Sequence, residues 1–187
     1  MTATVLDSKT ALIVVDLQKG IVALPVAHSP AGVVEQSVKL IDAFRAHHLP
    51  VVLVNVAGMA PGRNEQPHSG GALPADWAEL LPELKQQPDD LLVTKRSWCA
   101  FTGTDLDAKL KQTGVTQVVL CGIATSIGVE STARVAHALG YNVTLAVDAM
   151  TDLKPEAHAN SLERIFPRLG ETATAQEIVA LLDARRA

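Results

Sequence analysis

Five short apolar runs, rich in β-branched residues, recur along the chain and predict strands. A continuous apolar run, unlike an alternating one, is typical of a strand that is buried on both faces of a parallel sheet. Each run is also too short for a core helix. The predicted strands occupy residues 11–15, 51–54, 91–93, 118–121 and 143–147.

Amphipathic stretches between these runs predict helices. In the first stretch, apolar residues recur at helical spacing between Pro30 and Pro50, namely at Val34, Val38, Leu40, Ile41 and Phe44. Further helices are predicted over residues 105–113, 126–139 and 174–185. Their capping and stop signals are Thr104, Gly114, Gly140, and Thr174 with Glu177 as a capping box. Strands that alternate with helices predict a parallel sheet with helices on both faces.

Length and composition limit the class of protein. At 187 residues the chain is predicted to form a single domain over residues 1–187. Hydrophobic residues make up 48%, and no apolar run approaches the ~18 residues that span a bilayer. The N-terminus shows no secretion signal, and the net charge of −4 disfavours a nucleic-acid partner. We therefore expect a cytoplasmic protein that binds neither membranes nor nucleic acid.

Residues that could take part in catalysis or binding follow three of the predicted strands. Asp16 ends the first strand, Lys95 follows the third, and the turn over residues 124–128 follows the fourth. Because ligands of open parallel sheets bind beyond the carboxyl ends of the strands, we expect these segments to meet at one site. A neighbouring carboxylate and ammonium influence each other's pKa, as a proton donor or acceptor requires. The alternatives are an ordinary loop carboxylate and a surface lysine.

The turn over residues 124–128 supplies backbone donors. A helix that begins at Ser126 leaves its first N–H groups unpaired, and these favour an anion or a developing oxyanion. The alternative is that Ala124, Thr125, Ser126 and Gly128 form only a compact turn and helix cap.

Three ordered motifs resemble the isochorismatase-like hydrolase superfamily. They are Asp16 with Gln18, Lys95 within residues 95–104, and the turn Gly122-Ile123-Ala124-Thr125-Ser126-Ile127-Gly128-Val129. The resemblance implies a three-layer α/β/α, Rossmann-like fold with a mostly parallel six-stranded sheet, whose last strand lies near residues 168–170. It further implies a cis peptide between Ile123 and Ala124 and an oxyanion hole formed by the N–H groups of Ala124 and Gly128. Gln18, Ala124, Thr125 and Ser126 would contact a small-molecule substrate, and the protein would form a homodimer or larger homo-oligomer.

Gly128 stands where the cysteine hydrolases of this superfamily carry their nucleophile. Glycine has no side chain to attack with, so covalent acyl transfer is not expected, and Ser126 is a poor replacement. Isochorismatases also have a small residue here. In them the aspartate that resembles Asp16 protonates a vinyl ether carbon, and water then releases pyruvate. Ala124 and Ser126 stand where typical isochorismatases have tyrosine and histidine, which places isochorismate in doubt as the substrate.

Other candidate residues lie near these motifs. Trp98 and Phe101 form either the apolar walls of a pocket or ordinary core packing beneath the Lys95 loop. Cys99, Cys121 and His158 are predicted to be structural. The nicotinamidases of the superfamily bind a metal after the second strand, but here that region begins at Asn55 and only His68 follows. No metal or cofactor is therefore expected.

The sequence leads to two functional hypotheses. The first is a thiol-independent hydrolase of a small anionic molecule, with Asp16 as acid or base, Lys95 as the orienting cation, and vinyl ether cleavage as the candidate reaction. The second is a catalytically silent relative that binds a ligand or serves as an assembly subunit. In an enzyme, Asp16 and Lys95 should lie within hydrogen-bond reach and be open to solvent. The long irregular loop over residues 57–74 is predicted to be a lid or an interface.

Overall fold

Six parallel strands form the central sheet of this protein, whose computed structural model describes residues 3–65 and 73–186. Their order across the sheet is β3-β2-β1-β4-β5-β6. The strands are β1 (Thr10–Val15), β2 (Val51–Val56), β3 (Leu91–Lys95), β4 (Gln117–Ile123), β5 (Asn142–Thr151) and β6 (Glu171–Ala173). This confirms the predicted parallel, six-stranded α/β/α architecture.

Two details of the strand prediction are wrong. The last strand begins at Glu171 rather than near residue 168, because residues Phe166–Arg168 form a 3₁₀ turn. Gly170 then passes so close to β5 that a Cβ atom would lie 2.0 Å from the carbonyl oxygen of Val143. In addition, β3 is not buried on both faces. It is an edge strand, where the covering layers end, and Leu92 is 46% exposed.

Six α-helices accompany the strands in the described part of the chain: α1 (Lys19–Val22), α2 (Pro30–Ala46), α3 (Leu106–Gln112), α4 (Glu130–Ala138), α5 (Pro155–Asn160) and α6 (Ala175–Asp183). The predicted Thr174–Glu177 capping box is present at the start of α6. The helix predicted over residues 126–139 begins instead with a π-helical turn, Thr125–Val129, that leads into α4. Buried side chains of α2 and α6 pack on one face of the sheet, and those of α3 and α4 pack on the other. No described helix is long and apolar enough to cross a membrane.

The strand order reverses between β1 and β4, which are neighbours in the sheet. At such a reversal the connections leave in opposite directions and open a crevice at the carboxyl ends of the strands. The two strands approach closely because residue 122 is glycine: it has φ +119°, and a Cβ atom there would lie 2.0 Å from the carbonyl oxygen of Val15. Asp16 and the turn over residues 124–128 therefore leave the sheet side by side.

Candidate active site

Asp16, which directly follows β1, and Lys95, the last residue of β3, form a buried ion pair at the carboxyl edge of the sheet. Lys95 Nζ donates to Asp16 Oδ2 at 2.7 Å and to the carbonyl oxygen of Ser97 at 3.1 Å. The expectation that the two side chains lie within hydrogen-bond reach is confirmed. The expectation that they are open to solvent is wrong, since Asp16 is 4% and Lys95 2% exposed, so the criterion set for an enzyme is met only in its first part.

The electrostatics of Asp16 differ from those of a surface carboxylate. Burial raises the pKa of Asp16 from 3.8 to about 6, although the charge and hydrogen bond of Lys95 act in the opposite direction. The second carboxylate oxygen, Oδ1, is buried and has no hydrogen-bond partner among the described residues. Asp16 thus has one oxygen fixed by a cation and one that is free to carry or accept a proton.

Gly128 lies against this carboxylate. A Cβ atom at residue 128 would lie 2.9 Å from Val15 Cγ1 and 3.2 Å from Asp16 Oδ2. The backbone of Gly128 lies outside the left-handed region, so its conformation does not demand glycine. Its neighbours require glycine instead, because the Asp16 carboxylate and a Val15 methyl group occupy the space that a side chain would need.

Several backbone N–H groups of the turn around Gly128 are hydrogen-bonded within the protein. The peptide between Ile123 and Ala124 is cis, as predicted. The N–H groups of Ile127 and Val129 donate to the carbonyl oxygen of Ala124 at 3.2 and 3.1 Å. The expectation of a free N–H at Ser126 is wrong, because it donates to Asp152 Oδ2 at 2.6 Å. The role of the Ala124 and Gly128 N–H groups as an oxyanion hole stays a prediction.

Asp152 is a site residue that sequence reasoning missed. It is 2% exposed and directly follows β5, just as Asp16 directly follows β1. That shared position, a carboxylate at the end of an apolar strand, was the available signal. Asp152 caps the turn, which fixes the orientation of the backbone beside Asp16.

Gln18 holds the chain rather than facing an open pocket. Its side-chain amide donates to the carbonyl oxygens of Val56 at 3.0 Å and Trp77 at 2.9 Å, and its oxygen accepts from the Val56 N–H at 2.7 Å. The side chain is fully buried. These contacts tie the segment after β1 to the end of β2, and they give no support to the predicted contact with substrate.

The hydroxyl group of Thr125 is also hydrogen-bonded within the protein. Its Oγ1 lies 2.8 Å from His158 Nδ1, and the rings of His158 and His28 are 4.7 Å apart between centroids. Burial, with a smaller contribution from His28, lowers the pKa of His158. The contact places His158 next to the turn, and its structural role stays a prediction.

The two aromatic residues of the Lys95 loop have different environments. Phe101 is 8% exposed and stacks on Tyr141 with the ring centroids 5.9 Å apart, so core packing is the correct alternative for this residue. Trp98 is 64% exposed and does not form a buried wall. Cys99 and Cys121 are both buried, and burial raises the pKa of Cys121 to about 12, which agrees with structural thiols.

The expectation that no metal binds stays a prediction. Within residues 3–65 and 73–186, no three His, Cys, Asp or Glu side chains come together as ligands. Asn55 Nδ2 donates to the carbonyl oxygen of Ala78 at 2.7 Å. His68 lies outside the described residues, as do all of residues 66–72 in the loop predicted to be a lid or an interface.

The sequence matches the family model of the Isochorismatase domain over residues 10–177. The chain belongs to the isochorismatase family. It is 48% identical over 178 residues to an uncharacterised family protein, YwoC of Bacillus subtilis, covering 91% of this chain and 93% of that one. It is 41% identical over 182 residues to another, YecD of Escherichia coli O157:H7, with coverage of 92% and 96%. The ureidoacrylate amidohydrolase RutB of Rhizobium rhizogenes is 29% identical, with coverage of 95% and 85%.

Solved structures of family members resemble this fold. An isochorismatase family protein of Burkholderia thailandensis superimposes with a TM-score of 0.91 at 43% identity, covering 96% of this chain and 98% of that one. Pyrazinamidase of Pyrococcus horikoshii, in complex with zinc, gives a TM-score of 0.76 at 27% identity, with coverage of 89% and 99%. The family therefore contains hydrolases, and the chain has their fold.

Proposed function

We propose that the protein is a hydrolase of a small anionic molecule that uses Asp16, and no thiol, as its reacting group. The observation that carries this proposal is the position of the Asp16 carboxylate beside the site that a side chain at residue 128 would occupy. A carboxylate with a raised pKa lies 3.2 Å from the position that a Cβ atom at residue 128 would take, which is where the resemblance to the cysteine hydrolases places their nucleophile. Relatives such as RutB and pyrazinamidase are named for amide hydrolysis, but covalent acyl transfer needs a nucleophile that residue 128 does not provide.

Cleavage of a vinyl ether that carries a carboxylate suits these groups. The Asp16 carboxyl group transfers its proton to the terminal vinyl carbon, whose π electrons form the new C–H bond and leave an oxocarbenium ion. Water attacks the cationic carbon and returns one proton to the Asp16 carboxylate. The hydroxyl proton of the resulting hemiketal passes to the ether oxygen as the C–O bond breaks, which releases an alcohol and a 2-oxo acid. Asp16 is regenerated, and the net change is the addition of one water.

The raised pKa of Asp16 makes this acid role practicable near neutral pH. With a pKa of about 6, roughly a tenth of the molecules carry the proton at pH 7, against less than about a thousandth for a pKa of 3.8. Because Lys95 holds Oδ2, the proton is carried on Oδ1, the oxygen without a partner among the described residues.

Lys95 supplies the cation for an anionic substrate. Its ammonium group has three N–H donors, and the described contacts use two of them, on Asp16 Oδ2 and on the carbonyl oxygen of Ser97. The third N–H remains for a substrate carboxylate. A carboxylate there would in turn oppose ionisation of Asp16 and favour its acid form.

A paired substrate screen tests the proposal. Purified wild-type protein and the Asp16→Asn variant are offered carboxylated vinyl ethers (chorismate and isochorismate) and amides (ureidoacrylate and pyrazinamide). We expect turnover of a vinyl ether by the wild type and loss of that turnover in Asp16→Asn. Turnover that survives in Asp16→Asn contradicts the role of Asp16. Absence of turnover for every compound favours the silent, ligand-binding alternative.

A further inference from the structure

Thr132 of α4 joins the two segments that carry the site. Its side chain is fully buried. Its hydroxyl group donates to the carbonyl oxygen of Gly128 at 2.7 Å and accepts from the N–H of Ala100 at 3.0 Å. Ala100 belongs to the loop that follows Lys95. One hydroxyl group thus bridges the Lys95 loop and the Gly128 turn.

The loop side of this bridge fixes Ala100 from both directions. While its N–H donates to Thr132, its carbonyl oxygen accepts from Thr104 Oγ1 at 2.6 Å. Between Lys95 and Ala100, the carbonyl oxygen of Ser97 binds the Lys95 ammonium group at 3.1 Å. The segment that follows Lys95 is therefore anchored at one end to the lysine itself and at the other to α4.

The two backbone groups bound by Thr132 differ in whether they have another hydrogen-bond partner. The carbonyl oxygen of Gly128 accepts a second hydrogen bond, from Ser131 Oγ at 3.3 Å. The N–H of Ala100 has no acceptor besides Thr132 among the described residues. Loss of the Thr132 hydroxyl group would leave a buried donor without a partner, which is unfavourable until the loop moves and water reaches it. The loop, more than the turn, depends on Thr132.

We propose that Thr132 is a positioning residue that holds the Lys95 loop against the Gly128 turn and so keeps water away from Asp16. This inference rests on the proposed function only in treating Asp16 as the reacting group. It names a residue that touches neither Asp16 nor Lys95 in the described contacts and acts on both through the backbone of Ala100 and Gly128.

The test is a ¹³C NMR titration of the Asp16 carboxyl carbon, assigned by its absence in Asp16→Asn. Thr132→Val removes the hydroxyl group and keeps the shape, whereas Thr132→Ser keeps the hydroxyl group. Thr144→Val is the matched control: Thr144 is equally buried, and its hydroxyl group accepts from Gln117 Nε2 at 3.0 Å, away from Asp16 and Lys95. Since burial is the largest cause of the raised pKa, water admitted by Thr132→Val should lower the pKa of Asp16 by about one unit.

We expect Thr132→Ser and Thr144→Val to keep the wild-type titration of Asp16. An unchanged titration in Thr132→Val overturns the inference, and so does an equal shift in Thr144→Val. If Thr132→Val does not fold, Thr132→Ala, which lacks the hydroxyl group without adding bulk, must show the same downward shift. Because no substrate is used, this result is independent of the Asp16→Asn activity comparison that tests the proposed function.

Discussion

Asp90 and Asp16 both have little-exposed side chains that pair with a cation, and they differ in whether each carboxylate oxygen has a hydrogen-bond partner. Asp90 accepts from Arg45 Nε on Oδ1 at 3.2 Å, and on Oδ2 from Arg45 Nη2 at 2.5 Å and from the Gln87 N–H at 2.7 Å. Asp16 accepts from Lys95 on Oδ2 alone, and its Oδ1 has no partner among the described residues. Asp90 ties α2 to the start of β3, whereas Asp16 lies at the reversal of strand order.

The difference separates a structural pair from a reactive one. A carboxylate with both oxygens bonded to a planar guanidinium group and a backbone N–H gains most from staying ionised and fixed. A carboxylate with one free, desolvated oxygen is destabilised in its ionised form. Binding of a proton or of a substrate to that oxygen reduces the destabilisation. Residue 128 strengthens the contrast, because glycine leaves no side chain between Asp16 and a ligand.

The largest expected effect is on turnover. With a substrate found in the screen, Asp16→Asn should reduce kcat by a factor on the order of 10²–10⁴, the usual contribution of general acid catalysis. Asp90→Asn makes the same isosteric change in a similarly buried pair and should leave kcat within a few fold while lowering stability. Initial rates and urea unfolding of both variants measure this. A similar loss of kcat in both would remove the distinction between the pairs.

Ionisation of Asp16 should make the free energy of unfolding depend on pH. The folded protein holds the Asp16 proton up to a pKa of about 6, and the unfolded chain releases it near 3.8. The folded state therefore binds more protons between these values, so this contribution is present at pH 4 and is lost as the pH rises through about 6. The loss amounts to roughly 3 kcal/mol at most. Urea unfolding at pH 4.5 and pH 7 should show it in the wild type and not in Asp16→Asn, and an equal pH dependence in both would refute it.

Residue 128 should tolerate a side chain only when room is made. Gly128→Cys places Cβ 2.9 Å from Val15 Cγ1 and should destabilise the protein by about 1–3 kcal/mol. Val15→Ala in the same chain should recover part of that loss. In the double variant the new thiol meets Asp16 as a proton acceptor and Lys95 as a cation, so its pKa should fall below the ~8.5 of a free cysteine. The pH dependence of alkylation checks this, and a thiol that titrates at or above the free value would show that the turn is not a working site.

The smallest expected effect is that of thiol reagents. Cys99 and Cys121 are buried and neither lies at residue 128, so iodoacetamide should leave any turnover unchanged. Mass spectrometry of the intact protein reports how far the thiols react. Complete loss of activity on modification of Cys99, with circular dichroism unchanged, would make Cys99 the nucleophile and end the proposed mechanism.

The fold was largely predictable, because strand runs such as residues 11–15 are buried along their whole length and need only the local sequence to be recognised. The Asp16–Lys95 contact was predictable for a related reason: both residues stand at the carboxyl ends of strands, and these ends lie at one edge of the parallel sheet. The burial of the pair was not, since it depends on how the loops after β1 and β3 pack over it. The contacts of Gln18 with Val56, of Thr132 with Ala100 and of Asp152 with Ser126 join residues distant in the chain, and a polar residue type alone does not indicate which backbone group it binds.

The most direct test of the account is the titration of Asp16 in the unaltered protein. Selective ¹³C labelling of aspartate, with Asp16→Asn for assignment, gives the pKa of this one carboxyl group without a substrate. We predict a pKa of about 6 for Asp16, raised by burial despite the neighbouring ammonium group. A value at or below 3.8 would show that Lys95 outweighs burial, and Asp16 would then be a structural ion-pair partner like Asp90 rather than an acid.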